Sequence, residues 1–164
     1  MLSGGMADIR LWLETTHHAA FRYGGWAYVR AADGAVVGYA GGERNITPAR
    51  LDLAGMIAAL NGLPAGASIA VRTSNPALLA IGRLIASPPP AGSPDAPVED
   101  LDLWAQLMTA ARKAAGVCGA RGAACQAMVR PLAAWAEVGR DKAKSAGRFA
   151  AAIPKPNLAK LALA

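Results

Sequence analysis

Asp52 sits in TPARLDLAGMIAAL, residues 47–60, where Thr47 and Pro48 mark a helix start and almost everything after them is apolar. It lies past the first turn, too late to cap the helix. The positions three and four residues away, among them Pro48, Ala49, Gly55 and Met56, offer no basic partner. Such a carboxylate is either an exposed helix residue or a group kept for chemistry. His17 and His18 follow the first strand-like stretch, where a pair of histidines is usually solvated but has the chemistry for proton transfer or metal ligation. Cys118 and Cys125 flank GARGAA, a spacing that fits no common zinc or redox pattern, with no His nearby, so they read as free thiols. Asn45-Ile46-Thr47 fits a glycosylation sequon, which carries no meaning without secretion.

The elements that must position these groups follow from pattern. Residues 9–15 alternate apolar with polar, the period of a half-buried strand. Residues 26–30 and 35–39 flank Asp33-Gly34, a strong hairpin signal. A helix is expected over 48–61, stopped by Gly62 and Pro64, then a strand over 68–73 and a helix from Asn75-Pro76 to about residue 86. Residues 87–100, SPPPAGSPDAPVED, are too rich in proline for helix or ladder and predict a loop. A helix follows from about Asp100. Residues 125–130, CQAMVR, are expected as a fifth strand, and Pro131 as the entry to a long helix reaching about residue 152.

At 164 residues and 54% hydrophobic content the chain is large and apolar enough for one domain with a real core. Residues 1–8 are expected as a flexible N-terminus, 9–152 as the domain, and 153–164 as a tail or short extra helix. No apolar run reaches the length of a membrane span, and the opening residues lack a signal-peptide pattern, which predicts a soluble cytoplasmic protein without membrane contact. Charge is uneven. Residues 1–111 carry seven Lys or Arg against nine Asp or Glu, whereas residues 112–164 carry ten against two. A basic third of this kind is either a solvated helix face or a surface for a polyanion. Trp12, Trp26, Trp104 and Trp135 fall in separate elements and read as core anchors rather than as a row for base stacking.

Four segments, in this order and at these spacings, resemble type 1 ribonuclease H: GGWAYV from Gly24, ARLDLAGMIAAL from Ala49, VRTSNPALL from Val71, and DLDLWAQL from Asp100. The resemblance spans most of residues 9–150. It implies an α/β fold, a five-stranded mixed sheet of three antiparallel strands followed by strand-helix crossovers, with helices on both faces. It also implies four converging carboxylates holding two magnesium ions, with manganese as the alternative; one ion activates water while the other steadies the leaving oxygen. By that resemblance the site positions are Glu14, Asp52, Ser74 and Asp141, with Glu14, Asp52 and Asp141 as metal ligands. Asp52 then stands where the family keeps its helical Glu.

The same resemblance exposes departures. Glu14 replaces an Asp and is one methylene longer; Ser74 replaces an Asp and supplies no charge. Asp141 serves as the fourth acid only if residues 125–130 form the last strand, and a later helix register puts Gly147 there instead. Leu132 stands near the place of an assisting loop His. Pro48-Ala49 replaces an Asn pair, and the Pro-rich acidic loop 87–100 replaces a basic protrusion. Phosphate contact would then fall to Arg130, Arg140, Lys142, Lys144 and Arg148. Three functions are expected from this: a nucleic-acid-binding protein for RNA–DNA hybrid or duplex with a degraded two-metal site, an active ribonuclease H with an altered site, or a scaffold that takes a protein partner.

Overall fold

The computed structural model describes residues 8–114, 116–120 and 123–161. The chain opens with an antiparallel meander of β1 (Asp8–His18), β2 (Tyr23–Ala32) and β3 (Ala35–Arg44). Asp33 and Gly34 turn the second hairpin at φ of 48° and 78°. Two positive φ values in a two-residue turn match the right-handed twist of the flanking strands. Helix α1 (Pro48–Leu60) starts where Thr47 accepts the Arg50 N–H at 3.2 Å. Strand β4 (Ser68–Arg72) runs parallel beside β1, and α2 (Pro76–Ala86) starts on the Asn75 side chain. Residues 87–100 are a loop, as their prolines require. Then come α3 (Leu101–Ala111), β5 (Gly116–Ala120), α4 (Ala123–Ala146), β6 (Phe149–Ala152) and α5 (Lys155–Leu158).

The sheet order is β5-β4-β1-β2-β3-β6. Helices cover both faces, so the expected mixed sheet is present with one strand added at its edge. The additional strand is β6, antiparallel on β3 from Tyr39↔Ala152 to Gly42↔Phe149. Its sequence, Phe149 followed by three alanines, favours helix, and pairing with an open sheet edge overrides that preference. Residues 125–130, expected as a strand, lie inside α4 instead, and the last parallel strand is β5. The helical period explains the correction: Met128, Leu132, Ala136 and Ala143 are all buried, at spacings of four and seven. Pro131 lies within this helix rather than at its start. It removes one hydrogen bond, to the carbonyl of Ala127, an exposed residue. Helix α4 stops at Ala146, and Gly147 follows at φ 83°. Ile153 and Leu158, expected in a tail, are buried in the second core. The expected flexible N-terminus falls on residues 1–7, outside the described residues, with Asp8 already in β1. The thiols of Cys118 and Cys125 also lie outside what is described.

Alternation in the strands builds two cores. Leu11, Leu13, Trp26, Tyr28, Ile69 and Val71 face α1, α2 and α3, where Leu51, Met56, Leu60, Leu78 and Leu107 meet them. Trp12, Ala27, Val29 and Ala40 face α4 and the C-terminal segment. Under α4 the sheet residues are small, and the helix backbone rests almost on the strand backbone. A Cβ on Gly25 would lie 2.0 Å from the Ala136 carbonyl oxygen, and one on Gly139 would lie 2.1 Å from that of Gly41. No described helix is long and apolar enough to cross a membrane.

This seat predicts an asymmetry between two glycines. Gly139→Ala forces helix and sheet apart and is expected to cost about 1–3 kcal/mol. Gly82→Ala, in α2 where the added carbon meets nothing within 4 Å, is expected to stabilise by about 0.5–1 kcal/mol. Thermal unfolding of both variants checks this, with roughly 2–4 °C in Tm expected per kcal/mol at this chain length.

Candidate functional site

The parallel register of β1 and β4 ends at Trp12↔Arg72. Two residues further the strands carry Glu14 and the Thr73-Ser74-Asn75 turn into α2 side by side. Because side chains alternate along β1, Glu14 leaves on the α4 face with Trp12, and Thr15 leaves on the α1 face. Glu14 is buried, at 5% exposure, and so is Thr73. The Glu14 carboxylate accepts the Ser74 N–H at 2.8 Å, the Thr73 hydroxyl at 3.1 Å and the Ser74 hydroxyl in a short contact. A buried carboxylate demands such donors, and here the β4 end supplies three.

On the other face of β1, Asp52 is also buried, at 7% exposure. Its Oδ1 accepts the Thr15 hydroxyl at 2.7 Å and the Asn75 amide at 3.2 Å. The same Asn75 amide donates to the Thr15 hydroxyl at 3.0 Å, while its Oδ1 accepts the Ala77 N–H and so caps α2. Asn75 therefore ties the start of α2 to Asp52 and, through its neighbours Thr73 and Ser74, to Glu14. Burial raises the pKa of Asp52 above its ordinary 3.8, against the hydrogen bonds from Thr15 and Asn75 and the charge of His17, which lower it. His17 itself donates from Nε2 to the Ile46 carbonyl at 2.7 Å.

The structure thus brings Glu14, Asp52 and Ser74 into one network and leaves Asp141 elsewhere. Asp141 lies on the exposed side of α4, five residues before its end, paired with Arg140 at 3.1 Å. The reason is the helix register: α4 begins at Ala123, so the positions that reach toward β1 come much earlier than residue 141. Gly147, the alternative fourth position, packs beside Arg44. The sequence missed Thr15, Thr73 and Asn75. Of these, Asn75-Pro76 reads as a cap, but nothing local announces that the amide also serves Asp52.

Two carboxylates on opposite faces of one strand are a poor match for a pair of magnesium ions. Magnesium takes several oxygen ligands in near-octahedral order, and among the described residues no group of three or more Asp, Glu, His or Cys comes together. Both oxygens of Glu14 already accept hydrogens, one of them from a backbone nitrogen that cannot turn away. The residues present do not fit a two-metal centre.

The basic candidates divide by position. Arg130 is exposed twelve residues before Lys142, which is about 18 Å along a helix. Arg140, Lys142, Lys144 and Arg148 gather at the far end of α4 with Arg44 of β3. Lys142 lies over the Phe149 ring and Lys144 over Tyr23; Arg148 is 87% exposed and 3.6 Å from Glu43. Arg50 of α1 is committed differently. Its fork binds Asp102 at 2.8 and 3.0 Å and Asp100 at 3.0 Å, which holds the Asp102 carboxyl down to about 2.

The overall fold is similar to that of solved ribonuclease H domains. The N-terminal RNase H domain of rv2228c from Mycobacterium tuberculosis, solved as a fusion with maltose binding protein, matches with a TM-score of 0.60 at 14% identity, over 84% of this chain and 96% of that one. LC9-RNase H1, a type 1 RNase H with the type 2 active-site motif, matches with the same TM-score and identity over 98% of this chain and 88% of that one. No protein-family model and no curated protein matches the chain by sequence. At this identity the likeness establishes the architecture: the chain has a ribonuclease H-like fold.

A pH signature follows from Asp52. Because burial disfavours its charged form, the folded chain holds its proton to a higher pH than the unfolded chain does. The neutral carboxyl's advantage is fully present below 3.8 and is lost as pH rises through the raised value. Asp52→Asn keeps an acceptor for Thr15 and Asn75 and removes the charge. It is expected to match the parent near pH 4 and to be the more stable protein at pH 7. Urea unfolding of both proteins across that range checks the sign.

Proposed function

We propose that this chain is a ribonuclease H-like nucleic-acid-binding protein, taking RNA–DNA hybrid or duplex, in which hydrolysis is weak or absent. The observation that carries this reading is the state of Glu14. Its oxygens, in the position where the resemblance expects a metal ligand, are turned toward the Ser74 and Thr73 donors. A cation cannot occupy the direction in which an N–H already points. Losing even an outer partner typically costs a metal site about 10 to 100-fold in affinity or activity, and here one anion is replaced outright by Ser74 while Asp141 stands apart. Binding needs none of that chemistry. The cluster of Arg140, Lys142, Lys144, Arg148 and Arg44 at one end of the molecule supports phosphate contact, which asks only for cations along a surface.

Binding and cleavage are separable by experiment. Affinity for an RNA–DNA hybrid is expected to fall steeply with salt, and Lys142→Ala or Lys144→Ala to reduce the log-log slope by about 1. A flat salt dependence, or no binding at low salt, would remove the nucleic-acid assignment. Incubation of the hybrid with magnesium or manganese is expected to give no product from the parent chain. Metal-dependent products that vanish in Asp52→Asn would establish a working nuclease instead. Ser74→Asp sets a second carboxylate against Glu14, and the like charges are expected to lower Tm unless a divalent cation is added. Titrating magnesium into that variant during thermal unfolding measures how near the site is to holding a metal.

A further inference from the structure

The turn between β1 and β2 carries a stack of rings that the fold does not require. Residues 19–22 make the turn, and Phe21 stands in it 70% exposed. Its ring lies on His18 at 5.2 Å and 24°, and His18 lies on Tyr23 at 5.0 Å and 7°. The inner end of the stack is fixed, since Tyr23 is buried in β2 and carries the Lys144 ammonium 5.8 Å from its ring centre. The turn is held as well. The Arg22 N–H donates to the His18 carbonyl at 2.8 Å, and the Arg22 carbonyl accepts the Ile46 N–H at 3.0 Å. Arg22 adopts φ 54°, a conformation that costs a non-glycine residue energy and that these two bonds hold in place. The result is a row of three rings whose outer face, that of Phe21, is open to solvent.

Charge decides what would continue that row. Residues 15–23 contain Arg22 and no acid. Lys144 adjoins the stack, and Arg44, Lys142 and Arg148 lie beyond it on the same end of the molecule. Two of the acids at this end are paired: Glu43 faces Arg148 and Asp141 faces Arg140. An exposed aromatic face bordered by cations is how single strands are held without regard to sequence. Inside a duplex each base already has both faces covered, and a blunt terminal base is held by its pairing across the helix end, so an unpaired base is the one free to turn onto the ring.

We propose that Phe21, backed by His18 and Tyr23, is a stacking site for an unpaired base at a single-stranded end or junction, with Arg22 and Lys144 on the adjoining phosphates. This rests on the nucleic-acid reading above and narrows it from duplex in general to duplex that carries a single-stranded extension.

Fluorescence anisotropy on three probes tests it: a blunt RNA–DNA hybrid, the same hybrid with a single-stranded extension, and the single strand alone. The parent chain is expected to bind the extended hybrid about tenfold more tightly than the blunt one, the scale of one base stacked on a ring. Phe21→Ala should abolish the difference while leaving blunt-hybrid affinity as it was, and Phe21→Trp should keep it. A 2-aminopurine at the first unpaired position should be quenched by the parent and by Phe21→Trp but not by Phe21→Ala. Equal affinity of the parent chain for blunt and extended hybrids, or an equal loss on both in Phe21→Ala, overturns the stacking site and leaves the nucleic-acid reading standing. Failure to bind any of the three probes at low salt overturns that reading and this one together. Self-association that depends on Phe21, with nucleic-acid binding unchanged by Phe21→Ala, would assign the ring to a protein contact and also overturn the proposal.

Discussion

A carboxylate buried between two strands must be answered, and the way Glu14 is answered decides what the rest of the site can be. Removing a carboxylate from water without compensation is prohibitively costly, so each of its oxygens must meet either a cation or a hydrogen. Glu14 meets hydrogens, from the Ser74 backbone, the Ser74 hydroxyl and the Thr73 hydroxyl. Those donors exist because β4 ends in Thr-Ser-Asn before Pro76, where the chain must leave the sheet and begin α2. An acid at position 74 would have required a positive ion between it and Glu14. A serine removes that requirement and supplies donors to Glu14 instead. Asp52 is treated in the same way on the other face of β1, through Thr15 and Asn75. The two halves share one short turn, so the position of α2 and the hydrogen-bond partners of both acids are set by the same residues.

Much of the architecture could be read from residues alone because its signals are local. The Asp33-Gly34 turn, the Thr47 and Asn75 caps and the alternation in β1 each act within a few positions. The last third was misread for the opposite reason. Pro131 is a strong local signal for a helix start, yet the burial of Met128, Leu132, Ala136 and Ala143 forms a helical stripe that runs straight through it. Phe149–Ala152 has helical composition and becomes a strand only because β3 offers an unpaired edge. The site divides similarly. Asp52 stood out as an acid on an apolar helix, and Glu14 and Ser74 were placed by the resemblance to a family. Asp141 was lost with the register of α4. Asn75 was visible as a cap and invisible as a partner of Asp52, since that bond spans 23 positions.

The glycines under α4 connect this packing to the surface chemistry. With Gly25, Gly41, Gly42 and Gly139 in contact, the helix lies low across β2 and β3. Its C-terminal end is thereby brought down beside the β1–β2 turn. That end already favours cations, because the unpaired carbonyls of a last turn carry partial negative charge. Lys142 and Lys144 settle there against Phe149 and Tyr23. A bulkier sheet surface would lift the helix and separate Lys144 from the ring stack it now adjoins. A packing constraint in the second core therefore sets the geometry of an exposed basic and aromatic edge.

The loop between α2 and α3 carries the opposite sign. Between Leu84 and Met108 the chain carries Asp95, Glu99, Asp100 and Asp102 and no basic residue. Arg50 holds Asp100 and Asp102 with both arms of its guanidinium. The apolar surface around Pro97, Trp104 and Leu84 adjoins these acids. Phosphates approaching the loop 87–100 would meet Asp95 and Glu99, whereas phosphates approaching the end of α4 would meet Arg22, Arg44, Lys142, Lys144 and Arg148. Long-range steering depends on this separation of sign more than on net charge. On the proposed reading it would direct a nucleic acid toward the β1–β2 turn and away from the loop 87–100, with the grip at an end of the sheet where the strand backbone, and not a basic protrusion, fixes its position.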